Sequence, residues 1–218
     1  VGPFRYHGRH YQFDYINLWP RPLQQPHPPV WIPSQGSSET VEWCASAKRK
    51  YTYLQTFSPV KSAKKAFDLY RQVAEREGYE SQPSQLGWAI PTYVAESDEI
   101  ARREIKPHIE AFFNKFLHYP LEMRMPPGYS SIASTKSLIE SKFAFRMMEM
   151  TAENLIELGM VVAGSAATVR ERLAAYARDL GVGNLIAMLQ MATLPADLTE
   201  KNLRLFARDV MPYLREQD

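Results

Sequence analysis

Gly36-Ser37-Ser38-Glu39-Thr40 sets three hydroxyl side chains directly behind a glycine. Hydroxyls and backbone N–H groups gathered at the start of a helix bind anions. The first N–H groups of a helix have no internal acceptor, and the aligned peptide dipoles make that end positive. Phosphate is the commonest biological anion to use such an end. Ser37 or Ser38 would serve equally as an ordinary helix cap, so the residue types alone leave both uses open. The remaining reactive side chains form no comparable group. His7, His10 and His27 follow no metal-ligand spacing, and Cys44 is the sole cysteine, which suits a small core residue better than a metal site or a disulfide.

The segments around this turn must position it. Val30-Trp31-Ile32 is a β-prone apolar run and predicts a buried strand leading into Gly36, with a helix from Ser37 or Ser38 through Ala47. Prolines at 20, 22, 26, 28 and 29 make the approach stiff and extended, so residues 1–29 are expected to be a Pro-rich lead-in, in which Tyr11-Gln12-Phe13 could form a short strand. Downstream, strands are predicted at 51–57, 86–94 and 184–189. Helices are predicted at 61–77, from Ser97 onward, from Ser165 to Gly181 and from Thr199 to Leu214. Ile105, Ile109, Phe112, Phe113 and Phe116 read as one inward stripe, as do Leu203, Phe206, Val210 and Leu214. Residues 118–153, rich in Met and Pro, break the rhythm and are expected to form an excursion that acts as a lid or packs on the body.

Alternating strands and helices, with nearly continuous apolar strands, argue for a parallel sheet covered by helices. Four βα units are legible, half of an eight-unit barrel. The chain of 218 residues carries 45% hydrophobic and 23% charged residues, as a globular protein does. Its formal charge of +2 gives no reason to expect nucleic acid as a partner, and Lys48-Arg49-Lys50 and Arg102-Arg103 read as solvated charge runs. No apolar run is long enough to span a bilayer. Without a signal pattern, the expected setting is cytoplasmic and away from membranes.

Several stretches resemble the luciferase-like flavin-dependent monooxygenases. They are Gln24-Gln25-Pro26-His27-Pro28-Pro29-Val30-Trp31-Ile32 followed by Gly36-Ser37-Ser38-Glu39-Thr40, then Val94-Ala95-Glu96-Ser97-Asp98-Glu99-Ile100-Ala101, and the closing Leu205-Phe206-Ala207-Arg208-Asp209-Val210-Met211-Pro212-Tyr213-Leu214. The resemblance runs through the whole chain and implies an α/β fold of the (β/α)8 TIM-barrel type, here only the C-terminal part of the barrel. It further implies reduced FMN as cofactor and O2 as co-substrate, acting on a small organic molecule, with a flavin reductase as the source of reduced flavin and a homodimer as the assembly. FMN is expected over the related deazaflavin because the turn is luciferase-like.

Residue by residue, the resemblance carries over Ser37 and Thr40 as phosphate-binding hydroxyls and Gly36 and Ser38 as backbone donors. The family pattern has Glu where this chain has Gly36, which removes a side-chain contact and keeps the N–H. Glu39 is awkward beside a phosphate, although it could turn outward in the first turn, where the dipole favours it. No catalytic residue can be carried over, because the family's candidates lie in the first barrel strands, which this chain lacks. Three readings follow: part of an FMN-dependent monooxygenase, a non-catalytic flavin-binding relative, or a structural remnant that dimerises through open sheet edges.

Overall fold

The computed structural model describes residues 2–117 and 150–216, together with Met123, Ile132, Thr135 and Lys136. Most of the predicted excursion over 118–153 therefore lies outside the described residues. The chain divides into two compact units, Val1–Val30 and Trp31–Asp218.

In the first unit, β1 (Phe4–His7) and β2 (Gln12–Ile16) form an antiparallel hairpin. The Gly8 N–H donates to the Tyr11 carbonyl at 2.8 Å and closes the turn. Every residue of β1 is exposed, and an isolated two-stranded hairpin is in general only marginally stable in water.

The second unit is built from strand–helix repeats. They run β3 (Trp31–Ser34), α1 (Ser38–Ala45), β4 (Thr52–Thr56), α2 (Val60–Arg76), β5 (Leu86–Ala95) and α3 (Asp98–Ala111). Beyond residue 150 come α4 (Ala152–Glu157), β6 (Val162–Ser165), α5 (Ala166–Leu180), β7 (Asn184–Met188), α6 (Ala196–Leu205) and α7 (Met211–Arg215). Each strand pairing is parallel: β3 with β4, β4 with β5, and β5 with both β6 and β7. The C-terminal ends of the strands therefore lie along one edge. This is an α/β fold, a parallel sheet arranged as part of a (β/α) barrel.

β5 is the spine, and all ten of its residues are buried. Its Trp88 and Ile90 join Tyr53, Phe67, Tyr70 and Leu173 in a core between the sheet and helices α2 and α5. Helix α2 turns Ala63, Ala66, Phe67, Tyr70, Val73 and Ala74 inward at helical spacing. Tyr93 and Ala95 belong to a second core with Ile105, Ile109 and Phe113 of the α3 region and Leu155 of α4. Gly87 is required by packing: a Cβ there would fall 2.9 Å from the Trp31 ring and 3.1 Å from Leu54 Cδ1.

Several details depart from the sequence reading, among them the hairpin β1–β2 in place of one short strand at Tyr11–Phe13, and the unexpected strand β6. β3 and β7, expected to be buried, are only partly covered, and Ile186 is 40% exposed. Among the described residues β3 pairs only with β4 and β7 only with β5, so each leaves one edge open. Phe116 points outward, 55% exposed, because residues 112–116 form a π-helical turn that shifts the phase of the stripe. In the last helical run Leu203 is exposed and Asn202 takes the inward place. The Asn202 Nδ2 group donates to the Thr92 carbonyl at 2.9 Å and the Leu189 carbonyl at 2.8 Å, while its Oδ1 accepts the Val94 N–H at 2.8 Å. It thereby closes the gap between β5 and the chain leaving β7.

Candidate functional site

The anion-binding candidates sit where β3 gives way to α1, at the C-terminal edge of the sheet. Gly36 adopts φ +103°, which favours glycine, and its N–H donates to Ser34 Oγ at 3.2 Å. Ser37 follows in extended conformation, and its carbonyl accepts the Val41 N–H at 3.0 Å to open the helix. Neither serine caps the helix: no side-chain cap bond is made, so the first-turn N–H groups keep their outward direction. Gly36 and Ser37 are exposed, whereas Ser38 and Thr40 are half-buried. Above Gly36 there is room, since an added Cβ would have only Gln55 Nε2 within 4 Å, at 3.8 Å.

A buried polar group supports the turn from β4. The Tyr53 hydroxyl donates to Gln55 Oε1 at 2.7 Å, and Gln55 Nε2 donates to Ser58 Oγ at 2.6 Å. The Thr56 hydroxyl donates to the Ser34 carbonyl at 3.3 Å and ties the ends of β3 and β4 together. Burial pushes the Tyr53 hydroxyl up to about 12, partly offset by hydrogen bonding toward Ser34 and Gly36. Tyr53 is thus a neutral hydrogen-bonding group at working pH.

Glu39 is exposed and engages the serines of the turn itself. Its Oε2 accepts the Ser37 hydroxyl at 2.8 Å and the Ser38 hydroxyl at 3.3 Å. The carboxylate therefore engages two of the three hydroxyls offered to an anion. Because a hydroxyl rotates freely, both can be redirected when Glu39 swings aside.

The other candidates stay apart from this turn. Cys44 is buried in the core, and burial pushes its thiol up to about 11, against the pull of Arg49, so no thiolate nucleophile is available at neutral pH. His7 pairs with Asp14 at 3.0 Å within the hairpin, and His27 Nδ1–H donates to the Pro28 carbonyl at 2.7 Å. Among the described residues no three His, Cys, Asp or Glu side chains are placed to hold a metal ion, and no helix is long and apolar enough to cross a membrane. Lys48-Arg49-Lys50 is more ordered than a solvated run, since Arg49 lies 4.2 Å from the Trp43 ring and Lys50 lies 4.5 Å from the Tyr79 ring.

One feature at the same edge escaped the sequence reading. Asp98, in the first turn of α3, accepts the Ser165 N–H at 2.7 Å and the Thr168 hydroxyl at 3.0 Å. These bonds, the Ser165 N–H first, hold its carboxyl below the usual range. Ser97-Asp98-Glu99 was legible as a helix start, but a partner 67 residues further on leaves no local signal.

An open parallel sheet with an uncapped helix start at its carboxyl edge is the arrangement of phosphate- and nucleotide-binding α/β proteins. Residues 2–183 match the family model described as luciferase-like monooxygenase, so the chain belongs to that family. An uncharacterised protein of Sinorhizobium fredii, y4wF, is 26% identical over 202 residues, covering 90% of this chain and 52% of its own. Among solved structures, monooxygenase RslO1 of Streptomyces bottropensis shares the fold with a TM-score of 0.66 and 18% identity, over 98% of this chain and 56% of that one. The oxygenating constituent of 3,6-diketocamphane monooxygenase from Pseudomonas putida, solved with FMN, gives 0.61 and 19%, over 97% and 58%. The coenzyme F420-dependent tetrahydromethanopterin reductase of Methanopyrus kandleri gives 0.63 and 15%, over 98% and 58%. The chain spans about half the length of the relatives it matches.

Proposed function

We propose that the turn Gly36–Thr40 holds the phosphate of FMN and that the chain supplies the phosphate-binding part of a flavin-dependent monooxygenase. The observation that carries this reading is the uncapped start of α1 at the carboxyl edge of β3. The fit to a phosphate is favourable in three respects. Gly36 leaves space above the turn, the N–H groups of the first turn are not used by a side-chain cap, and Ser37, Ser38 and Thr40 can each donate a hydroxyl. Glu39 opposes it until its carboxylate moves.

In this reading Ser37 and Thr40 donate side-chain hydrogen bonds, Gly36 and Ser38 donate backbone ones, and the Tyr53–Gln55–Ser58 group keeps the turn in place. When bound, reduced FMN would supply the reaction of O2 with a small organic substrate. The protein's share is to fix the flavin and exclude water. A flavin reductase as the source of reduced FMN, and a homodimer, belong to the same proposal. Membership of the family and the FMN-bound relative support FMN.

The test is a fluorescence titration of the chain with FMN and with riboflavin, which lacks the phosphate. A Ser37→Ala/Thr40→Ala variant should weaken FMN binding by about tenfold or more, because charge-assisted hydrogen bonds are lost, and leave riboflavin unchanged. Equal FMN affinity in the variant would refute the assignment. Flavin binding without substrate oxidation, in the presence of a flavin reductase and O2, would favour a non-catalytic flavin carrier instead.

A further inference from the structure

Both strands of the β1–β2 hairpin alternate aromatic and polar residues, Phe4-Arg5-Tyr6-His7 in one and Tyr11-Gln12-Phe13-Asp14-Tyr15 leading through the other. Successive side chains of a strand point to opposite faces, so the two types separate. Tyr6 and Phe13 are cross-strand partners and share a face, and the Tyr11 ring stacks on Phe13 with centroids 6.2 Å apart and planes at 7°. Phe4 and Tyr15 lie beyond a bulge, two residues from Tyr6 and from Phe13. The other face is polar and already paired: Asp14 meets His7 at 3.0 Å and Arg5 at 3.4 Å.

The five rings are 44–69% exposed, and none of them joins either apolar core. An aromatic side chain offers about 150–250 Å2 for burial, so these exposures leave roughly 400–700 Å2 open on the hairpin. Trp19 of the same unit, 73% exposed, adds about 100–180 Å2. Apolar patches beyond a few hundred Å2 mark interaction surfaces. A stable dimer buries about 800 Å2 on each partner, and this unit supplies most of that area.

We propose that the aromatic face of the β1–β2 hairpin is an interface with a second copy of this chain, the two hairpins packed face to face about a twofold axis. The rings that form the face carry no charge, so their complement is another uncharged aromatic surface, and a second copy presents one. A twofold contact needs only one self-complementary patch, which serves both partners. Each polar face, with its Arg5, His7 and Asp14 pairs, then stays in water. The interface rests on the hairpin and not on the Gly36 turn, so flavin binding and dimer formation can fail separately.

Sedimentation velocity on the 218-residue chain reads the assembly, and a dimer should form within about 1–100 µM, as suits an interface at the small end of the stable range. Amide exchange over residues 4–16 should slow about tenfold or more across the same range, because a marginal hairpin gains its cover only in the dimer. Tyr11→Lys and, separately, Tyr15→Lys should each weaken the dimer about a hundredfold, since each buries a charge in the interface. Tyr11 lies outside the strand pairing and both rings are exposed, so an unchanged thermal midpoint shows that the larger unit still folds. Tyr15→Phe, and Gln12→Lys on the polar face, should dimerise as the parent does. The proposal is overturned if the chain stays monomeric at about 100 µM, if both lysine variants dimerise as the parent does, or if exchange over 4–16 does not depend on concentration. It is equally overturned if Ile186→Lys, on the open edge strand β7, abolishes the dimer while the tyrosine variants leave it intact.

Discussion

Asn202→Ala should remove a large fraction of the stability of the Trp31–Asp218 unit. The side chain is fully buried and makes three hydrogen bonds, each to a backbone group: the Thr92 and Leu189 carbonyls and the Val94 N–H. Truncation leaves all three unpaired at the point where β5 and the chain after β7 separate. A buried backbone group without its partner costs about 1–3 kcal/mol, so the three together span about 3–9 kcal/mol. Water entering the vacated amide space would satisfy part of this and draw the loss toward the lower end, about 4 kcal/mol. Domains have only about 5–15 kcal/mol in total. Urea unfolding followed by circular dichroism reads the effect directly. With a slope of about 2 kcal/mol/M the midpoint should fall by about 2 M, with the slope itself unchanged. Asn202→Asp adds a second test, since it keeps the shape and the acceptor for Val94 but buries a charge and loses both donors. It should be at least as unstable as Asn202→Ala at neutral pH and recover on acidification, when a protonated carboxyl can again donate. A loss below about 1 kcal/mol for Asn202→Ala would refute the reasoning, because the three bonds would then be replaceable by solvent.

Glu39→Gln should tighten FMN binding by about threefold to tenfold at low salt and less at high salt, since it removes a charge that competes for the Ser37 and Ser38 hydroxyls. Fluorescence titrations at two ionic strengths decide it, and an unchanged affinity at low salt would mean the carboxylate swings fully clear. Gly183→Ala should cost about 2 kcal/mol and lower the thermal midpoint by about 4–8 °C. The new Cβ would lie 2.7 Å from the Pro83 carbonyl carbon and 2.9 Å from Ser84 N, backbone atoms that cannot rotate away. The carboxyl of Asp98 is held below its ordinary value, so its stabilising effect is full above that value and is lost as the pH falls below about 4. The stability gap between the parent and Asp98→Asn should therefore narrow between pH 7 and pH 3, and a constant gap would contradict the linkage.

The strand and helix positions that follow from local patterns were readable in advance. Val41, Cys44 and Ala45 of α1 and the inward stripe of α2 are buried as their spacing requires, and Ser97, Ser165 and Gly181 begin or end helices as their chemistry predicts. The turn at Gly36 was legible because a glycine followed by hydroxyls has few other uses. What failed depended on phase or on distance along the chain. Leu203 and Asn202 lie three and four positions before Phe206, both compatible with one helix face, and the π-helical turn at Phe206–Val210 perturbs the phase that would decide between them. β6 was missed because it is only four residues long and contains Gly164, although Gly159, at φ +66°, separates it from α4. The bonds from the Ser37 and Ser38 hydroxyls to Glu39 depend on side-chain rotamers that helix-dipole reasoning does not specify.

β5 has a consequence for how this chain is made. Its Gly87–Pro91 stretch pairs with Asn184–Met188, a partner synthesised about 100 residues later. At a synthesis rate of about 5–20 residues per second, that edge of β5 waits roughly 5–20 s for its neighbour. During this interval Trp88, Ile90 and their neighbours are present without the α5 face that finally covers them. A pause in translation between residues 95 and 184 would therefore lengthen the interval in which these apolar side chains lack their final cover.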